Sequence, residues 1–204
     1  MIMNLPTRPN QILGPLIVCI VSITAFFFEP LSSEYFALER SWLSSGHYYQ
    51  ILTGHFLHTN TTHLLFNLFG VVLLWLLHGD DYRAASYLAK FSLICLSLSL
   101  LLYFFSPDIE WYVGLSGAIH GVFAWGCIQD IENKMKTGWL LLLGLLIKVL
   151  SEQTYGAGTL MQELIEANVA VDSHMFGSIL GIIVGICSVF LHRNKVSRTP
   201  ASKI

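Results

Sequence analysis

Six separated apolar stretches, near residues 12–29, 55–77, 85–105, 115–129, 138–151 and 173–191, limit what this chain can fold into. A membrane span needs about 20 apolar residues to cross roughly 30 Å of hydrocarbon. Lipid offers the backbone no hydrogen-bond partner, so such segments must satisfy their own amides as helices. With 54% hydrophobic and 12% charged residues and a mean hydropathy of +0.61, the composition lies outside the usual range of a soluble domain. Loop-forming residues fall between the stretches at Glu29-Pro30, Gly79-Asp80-Asp81, Ser106-Pro107-Asp108, Asn133-Lys134 and Gly156 to Gly158. A length of 204 residues leaves room for one bundle without a sizeable soluble domain. The expectation is an all-α membrane protein of six transmembrane helices, one domain over residues 1–204, with a cytoplasmic tail from about 193.

Charge sets the orientation. With both termini cytoplasmic, Arg8, Arg83, Lys90, Lys134, Lys136, Arg193, Lys195, Arg198 and Lys203 lie inside, which places nine of the eleven basic residues as the positive-inside rule requires. A net charge of -2 gives no basic surface for nucleic acid. Cys19, Cys95, Cys127 and Cys187 each lie in an apolar stretch without a Cys-x-x-Cys, so neither a disulfide nor a zinc site is indicated. The run from Ile12 to Phe28 follows a weakly charged start and lacks a small-x-small cleavage site, and it reads as a retained first helix.

The fourth stretch is short. From Ser116 to Gln129-Asp130 it supplies about 14 residues, or roughly 21 Å, which is less than the hydrocarbon thickness. Its N-terminus should stop inside the membrane, where irregular backbone survives only if it is covered by protein or lines a wet cavity. At that junction stands Gly114-Leu115-Ser116-Gly117. The glycines permit tight turning, and the free amides of a helix N-terminus can stabilise an oxyanion. Serine and glycine are also common packing and capping residues, so the motif alone is weak evidence.

A serine nucleophile needs a base, and His174, at the extracytoplasmic start of the last stretch, is the leading candidate. It precedes Gly177, Gly181 and Gly185, which share a helix stripe. Gly117, Gly121 and Ala124 form a similar stripe after Ser116, so the two helices are candidates for direct packing that brings Ser116 to His174. In the second stretch His63 and Asn67 share one face, and about 15 residues from His63 to Leu77 put His63 level with Ser116. Imidazole and carboxamide can donate to an oxyanion, although an interhelical polar network would use the same residues. No metal is expected: His58 and His63 are five apart and no His-Glu-x-x-His occurs.

Other polar residues read as structural. Lys148 and Glu152 can pair along one helix, in the weaker order. Asp172, two residues before His174, points to another face and reads as a helix cap. His47, His55, His78 and His192 read as interface residues, and Trp42, Trp111, Trp139, Tyr48 and Tyr49 as aromatic-belt residues.

Taken together, H-T-N-T-T-H-L-L-F-N from His58 to Asn67, G-L-S-G from Gly114 and H-M-F-G-S-I-L-G from His174 resemble the rhomboid intramembrane proteases. The resemblance covers almost the whole chain. It implies a six-helix rhomboid-like bundle without a cofactor, with Ser116 as nucleophile and His174 as general base. It further implies that His63, Asn67 and the backbone amide at Ser116, in the loop of Gly114, stabilise the oxyanion, and that His58 is structural. His120 stands where many rhomboids carry a tyrosine against the catalytic histidine, so it is a supporting candidate by stacking. The family's Trp-Arg pair of the first loop is not present in that order, Arg40 and Trp42 lying nearby. The compact form is similar to the rhombosortase subgroup, which trims surface proteins bearing a C-terminal Gly-Gly-containing anchor. That implies a bacterial inner-membrane protein with its site opening to the periplasmic side, a transmembrane-anchored protein as substrate and the bilayer as its surroundings. Two alternatives are weighed against it. A catalytically silent binder of membrane helices predicts loss of the serine or histidine, and both are present. A small transporter predicts inverted repeats, and none is visible.

Overall fold

Asn60 decides where the second long helix begins. Its side-chain oxygen accepts the His63 N–H at 2.8 Å and its backbone is extended, so the apolar run expected from residue 55 becomes helical only at Thr61. Before it, residues Gly54–Phe56 form a single 3₁₀ turn. His58 therefore lies ahead of the helix rather than within it.

The computed structural model describes residues 5–198, with side chains through residue 194. Six long helices dominate: α1 (Pro9–Phe27), α5 (Thr61–His78), α6 (Ala84–Phe105), α7 (Ser116–Glu132), α8 (Lys136–Tyr155) and α10 (Val171–Arg198). Short helices α2 (Leu31–Phe36), α3 (Arg40–Ser44) and α4 (Gln50–Thr53) build the first loop, and α9 (Thr159–Ile165) follows α8 across a 92° bend. Gly156 and Gly158 make that bend with φ of 77° and 70°, in the left-handed region open to glycine. Among the described residues α1, α5, α6 and α10 are long and apolar enough to cross a membrane, and the bent α8–α9 pair counts as a fifth span if taken as one. The chain is an all-α, multi-pass membrane protein. The helix α10 runs through the residues expected to begin the cytoplasmic tail, and Arg193 pairs with Glu132 on α7. The remainder of that expected tail, residues 199–204, lies outside the described residues.

The helix α7 is the centre of the bundle, packed against α5, α6, α8 and α10. Leu115, Ala118, Ala124 and Cys127 are fully buried. Its 17 residues span about 26 Å. The core beneath it is aromatic: Tyr82 stacks on Trp125 at 5.4 Å, with Tyr87 and Phe91 alongside. Lipid-facing positions are apolar, as Phe69, Leu140, Leu150 and Phe190 illustrate.

Two short antiparallel strands, β1 (Leu38–Glu39) and β2 (Trp111–Tyr112), pair Leu38 with Tyr112 and Glu39 with Trp111. They tie the first loop to the segment entering α7. The guanidinium of Arg40 fastens the same loop to the end of α6. It donates to the carbonyls of Tyr103 at 2.7 Å, Ser106 at 3.0 Å and Leu102 at 3.3 Å, and lies over the Tyr103 ring.

Two histidines read as interface residues are in fact core residues. The His55 ring is fully buried against Tyr112. His78 is 1% exposed, packs on Gly126 and brings Nδ1 to 3.2 Å from a buried Asp130 oxygen, off the hydrogen-bonding direction. Each partner lies on another element of the chain, so spacing along the histidine's own segment could not reveal it.

Candidate active site

Backbone contact between α7 and α10 builds this site. A Cβ placed on Gly177 would lie 2.0 Å from the Gly117 carbonyl oxygen, and one on Gly181 would lie 2.0 Å from that of Gly121. Only paired glycines let helices approach so closely. The two stripes seen in the sequence are thus one interface. His174, three residues before Gly177, is set opposite Ser116, one residue before Gly117. Ser116 Oγ and His174 Nε2 are 3.0 Å apart. Ser116 is the first residue of α7, which has no side-chain cap, so its own amide remains available to a ligand at the serine.

The other edge and face of His174 are also occupied. Its Nδ1 lies 2.8 Å from Glu152 Oε2, and Lys148 Nζ donates to Glu152 Oε1 at 2.7 Å. The Lys148–Glu152 pair anticipated along α8 is present. Its reading as a structural pair along one helix is incomplete, because Glu152 also reaches across to α10. The His120 ring stacks on the His174 ring with centroids 4.1 Å apart and planes 11° from parallel. Its Nδ1 donates to the Ser116 carbonyl at 2.7 Å. Asp172 faces elsewhere. It accepts from Ser106 Oγ at 2.5 Å and Gln153 Nε2 at 3.4 Å, joining α10 to α6 and α8 rather than capping its own helix.

On the opposite side of Ser116 stand His63 and Asn67, both buried. Thr59 meets His63 Nδ1 through its N–H (3.4 Å) and hydroxyl (3.1 Å), which turns the Nε2 edge towards Gly114. Gly114 turns the chain with φ of 121°, and its carbonyl accepts from the Tyr112 hydroxyl at 3.0 Å. Asn67 Nδ2 uses one hydrogen on the His63 carbonyl at 3.1 Å, which leaves its second N–H for another acceptor. His58 packs edge-on to His63 at 5.0 Å. Thr59 and Asn60 also hold α9 over the site by donating to the carbonyls of Ile165 and Leu164.

Ser116 thereby borders two cavities. One of about 270 Å³ is lined by His63, Asn67, His120, Lys148, Glu152 and His174. The other, of about 240 Å³, is lined by Thr59, Trp111, Tyr112, Ile165, Asn168 and Val169. A larger groove of about 580 Å³ between α1 and the first loop presents a mostly apolar surface, with hydroxyl groups of Thr24, Ser32, Tyr35 and Thr53 among its lining and no histidine, cysteine, lysine or carboxylate.

A second serine–histidine contact competes for attention. His55 Nε2 is 2.9 Å from both Ser99 Oγ and the Cys95 carbonyl. A carbonyl only accepts, so this nitrogen carries the proton, while the Ser99 hydroxyl donates to the Ile51 carbonyl at 2.8 Å. The nitrogen cannot act as a base towards Ser99, and the pair pins the first loop to α6. His120, Glu152 and His174 offer three potential metal-ligand atoms within 4.8 Å of one another. Ring lone pairs lie in the ring plane, so two stacked imidazoles do not aim at one centre. Within the cluster Glu152 meets His174 Nδ1 through a hydrogen bond, and His120 meets His174 by stacking alone.

No curated protein matches the chain. The family model of the Rhomboid domain matches residues 45–190, from the first loop to near the end of α10. That match covers well over half of the sequence and takes in Ser116, His174 and every residue described around them, so the chain belongs to the rhomboid family of intramembrane serine proteases.

Proposed function

We propose that the protein is an intramembrane serine endopeptidase with Ser116 as nucleophile and His174 as general base. The observation that carries this reading is the 3.0 Å contact between Ser116 Oγ and His174 Nε2 at the uncapped start of a helix and the edge of two cavities. Ser116 Oγ bonds to the scissile carbonyl carbon as its proton passes to His174 Nε2. The oxyanion that forms accepts hydrogen bonds from the Ser116 backbone N–H, His63 Nε2 and the remaining Asn67 N–H. Collapse breaks the C–N bond, and His174 returns its proton to the leaving amine. Water then adds to the acyl-serine, gives its proton to His174, and releases the new carboxyl terminus and the free hydroxyl.

The substrate class is a transmembrane-anchored protein cut near the extracytoplasmic face. We assign the chain six spans with both ends cytoplasmic, supported by the basic-residue asymmetry and by the depth of Ser116 on a short helix. A helical peptide bond is shielded by its own turn, so cleavage calls for a segment that unwinds easily. Small residues favour this, which accords with a rhombosortase-like role on Gly-Gly-containing anchors in a bacterial inner membrane. The test is cleavage of a tagged Gly-Gly-anchored substrate in proteoliposomes by wild type, Ser116→Ala and His174→Ala at matched, folded levels. Cleavage by wild type alone is expected; cleavage by all three would overturn the assignment.

A further inference from the structure

A base facing Ser116 must carry its proton on the far nitrogen. His174 meets this condition through a residue that the Ser116–His174 reading does not use. A carboxylate only accepts, so the 2.8 Å contact between Glu152 Oε2 and His174 Nδ1 places the ring proton on Nδ1 and leaves the Nε2 lone pair directed at Ser116 Oγ. We infer that Glu152 is a positioning residue, the third member of a Ser116–His174–Glu152 relay; this inference rests on the reading of Ser116 as nucleophile and His174 as base.

Four features support it. The Glu152 side chain is itself fixed, because Lys148 holds Oε1 at 2.7 Å while Oε2 faces the histidine. The pair is shielded from water, with the His174 and Glu152 side chains 7% and 14% exposed, which strengthens the hydrogen bond between them. Stacked His120 restrains the ring on its face, so Glu152 and Ser116 need only fix rotation within the plane. The nearby alternative acid, Asp172, is committed to Ser106 and Gln153. During attack the Ser116 proton moves to Nε2, and the resulting imidazolium lies beside a carboxylate that stays ionised. Glu152 takes up no proton and forms no covalent bond.

An alkyl fluorophosphonate tests this independently of substrate choice. Its reaction joins Ser116 Oγ to phosphorus, expels fluoride and sends the hydroxyl proton to His174. The limiting rate and the half-saturating concentration are measured with the full chain in lipid nanodiscs for wild type, Glu152→Gln, Glu152→Asp and Ser116→Ala, with unfolding temperature recorded for each. Glutamine keeps the size of glutamate but has one accepting oxygen where Glu152 uses two, so it cannot serve Lys148 and His174 Nδ1 together, and the unfolding temperature separates loss of fold from loss of positioning. The expected result is a limiting rate in Glu152→Gln at least tenfold lower, a part of the roughly 10²–10⁴-fold worth of a positioned base, at unchanged half-saturation and unfolding temperature. Glu152→Asp should recover part of that rate. A rate in Glu152→Gln within twofold of wild type overturns the inference while leaving the serine–histidine reading intact. If glutamine disrupts folding, Glu152→Asp decides: a several-fold lower limiting rate supports the relay and an unchanged one overturns it. Wild type that is not labelled, or labelling that persists in Ser116→Ala, overturns the underlying reading and the inference with it.

Discussion

His63 leaves no room for a side chain on Gly114: a Cβ there would stand 2.9 Å from both Cε1 and Nε2 of the imidazole. The same glycine has φ of 121°, a conformation that strains any L-residue by about 1–3 kcal/mol. Gly114→Ala must therefore displace the His63 ring or turn the backbone that leads into Ser116. Either movement spoils the proposed oxyanion geometry more than it harms the bundle. The expected outcome is at least a tenfold fall in cleavage rate, of the order seen when one oxyanion donor is lost, in protein that still unfolds cooperatively. A variant cleaving at the wild-type rate would remove Gly114 and His63 from the proposed site.

The contact between α7 and α10 makes a sharper demand. A methyl on Gly177 or Gly181 meets a backbone oxygen 2.0 Å away, which no rotamer change can relieve. Gly177→Ala and Gly181→Ala should each destabilise the fold by about 1–3 kcal/mol or more. Because helix separation pulls His174 from Ser116, activity should fall further than stability. Gly144→Ala is the control, since a Cβ there meets nothing within 4 Å and helix propensity favours alanine by up to about 1 kcal/mol. Thermal unfolding and cleavage measured on all three variants separate the effects.

The Gly117–Gly177 contact was legible in the sequence because small residues four apart can hardly serve anything except close approach. The start of α7 at Ser116 agrees with the Gly114 to Gly117 motif, although the helix runs 17 residues rather than the about 14 expected, and His63, counted to the level of Ser116, lines one cavity with it. Spacing along α8 pairs Glu152 with Lys148, whereas its decisive partner lies on α10, 22 residues on. An acid in an apolar helix is itself a signal, since burying a charge there demands compensation. His55 and His78 are hidden for the same reason: their surroundings are supplied by α6, β2 and α7. The second stretch was read too long because apolarity does not distinguish a 3₁₀ turn and an extended segment from helix, whereas the Asn60 cap does.

His120 stacks flat on His174 and hydrogen-bonds the Ser116 carbonyl. A tyrosine could restore the stacking but not the bond to the carbonyl, whereas alanine restores neither. Stacked aromatic pairs are worth about 0.5–1.5 kcal/mol, so His120→Ala should slow cleavage by about 2- to 10-fold. His120→Tyr should fall between alanine and wild type. Rates for the three proteins at saturating substrate check the order, and His120→Ala at the wild-type rate would show that the stack does not restrain the base.

Arg40 controls the position of the first loop from a distance. Its guanidinium reaches three carbonyls at the end of α6, where the negative end of the helix dipole favours a cation. Removing it takes the side-chain donor from the Tyr103 carbonyl and a second donor from those of Leu102 and Ser106, which keep the N–H groups of Ser106 and Ile109, and leaves Ser44–Tyr103 as the side-chain bond between α3 and α6, while β1 still pairs with β2 beside the segment that carries Gly114. Hydrogen bonds to a charged group contribute about 1.5–3 kcal/mol, so Arg40→Ala should lower the unfolding free energy by about that amount. Arg40→Lys should restore less than half, because one ammonium cannot span acceptors that the planar fork reaches together. Cleavage should decline less than stability, since no catalytic group touches Arg40. Equal stability in all three proteins would mean that the β1–β2 pairing alone holds the loop in place.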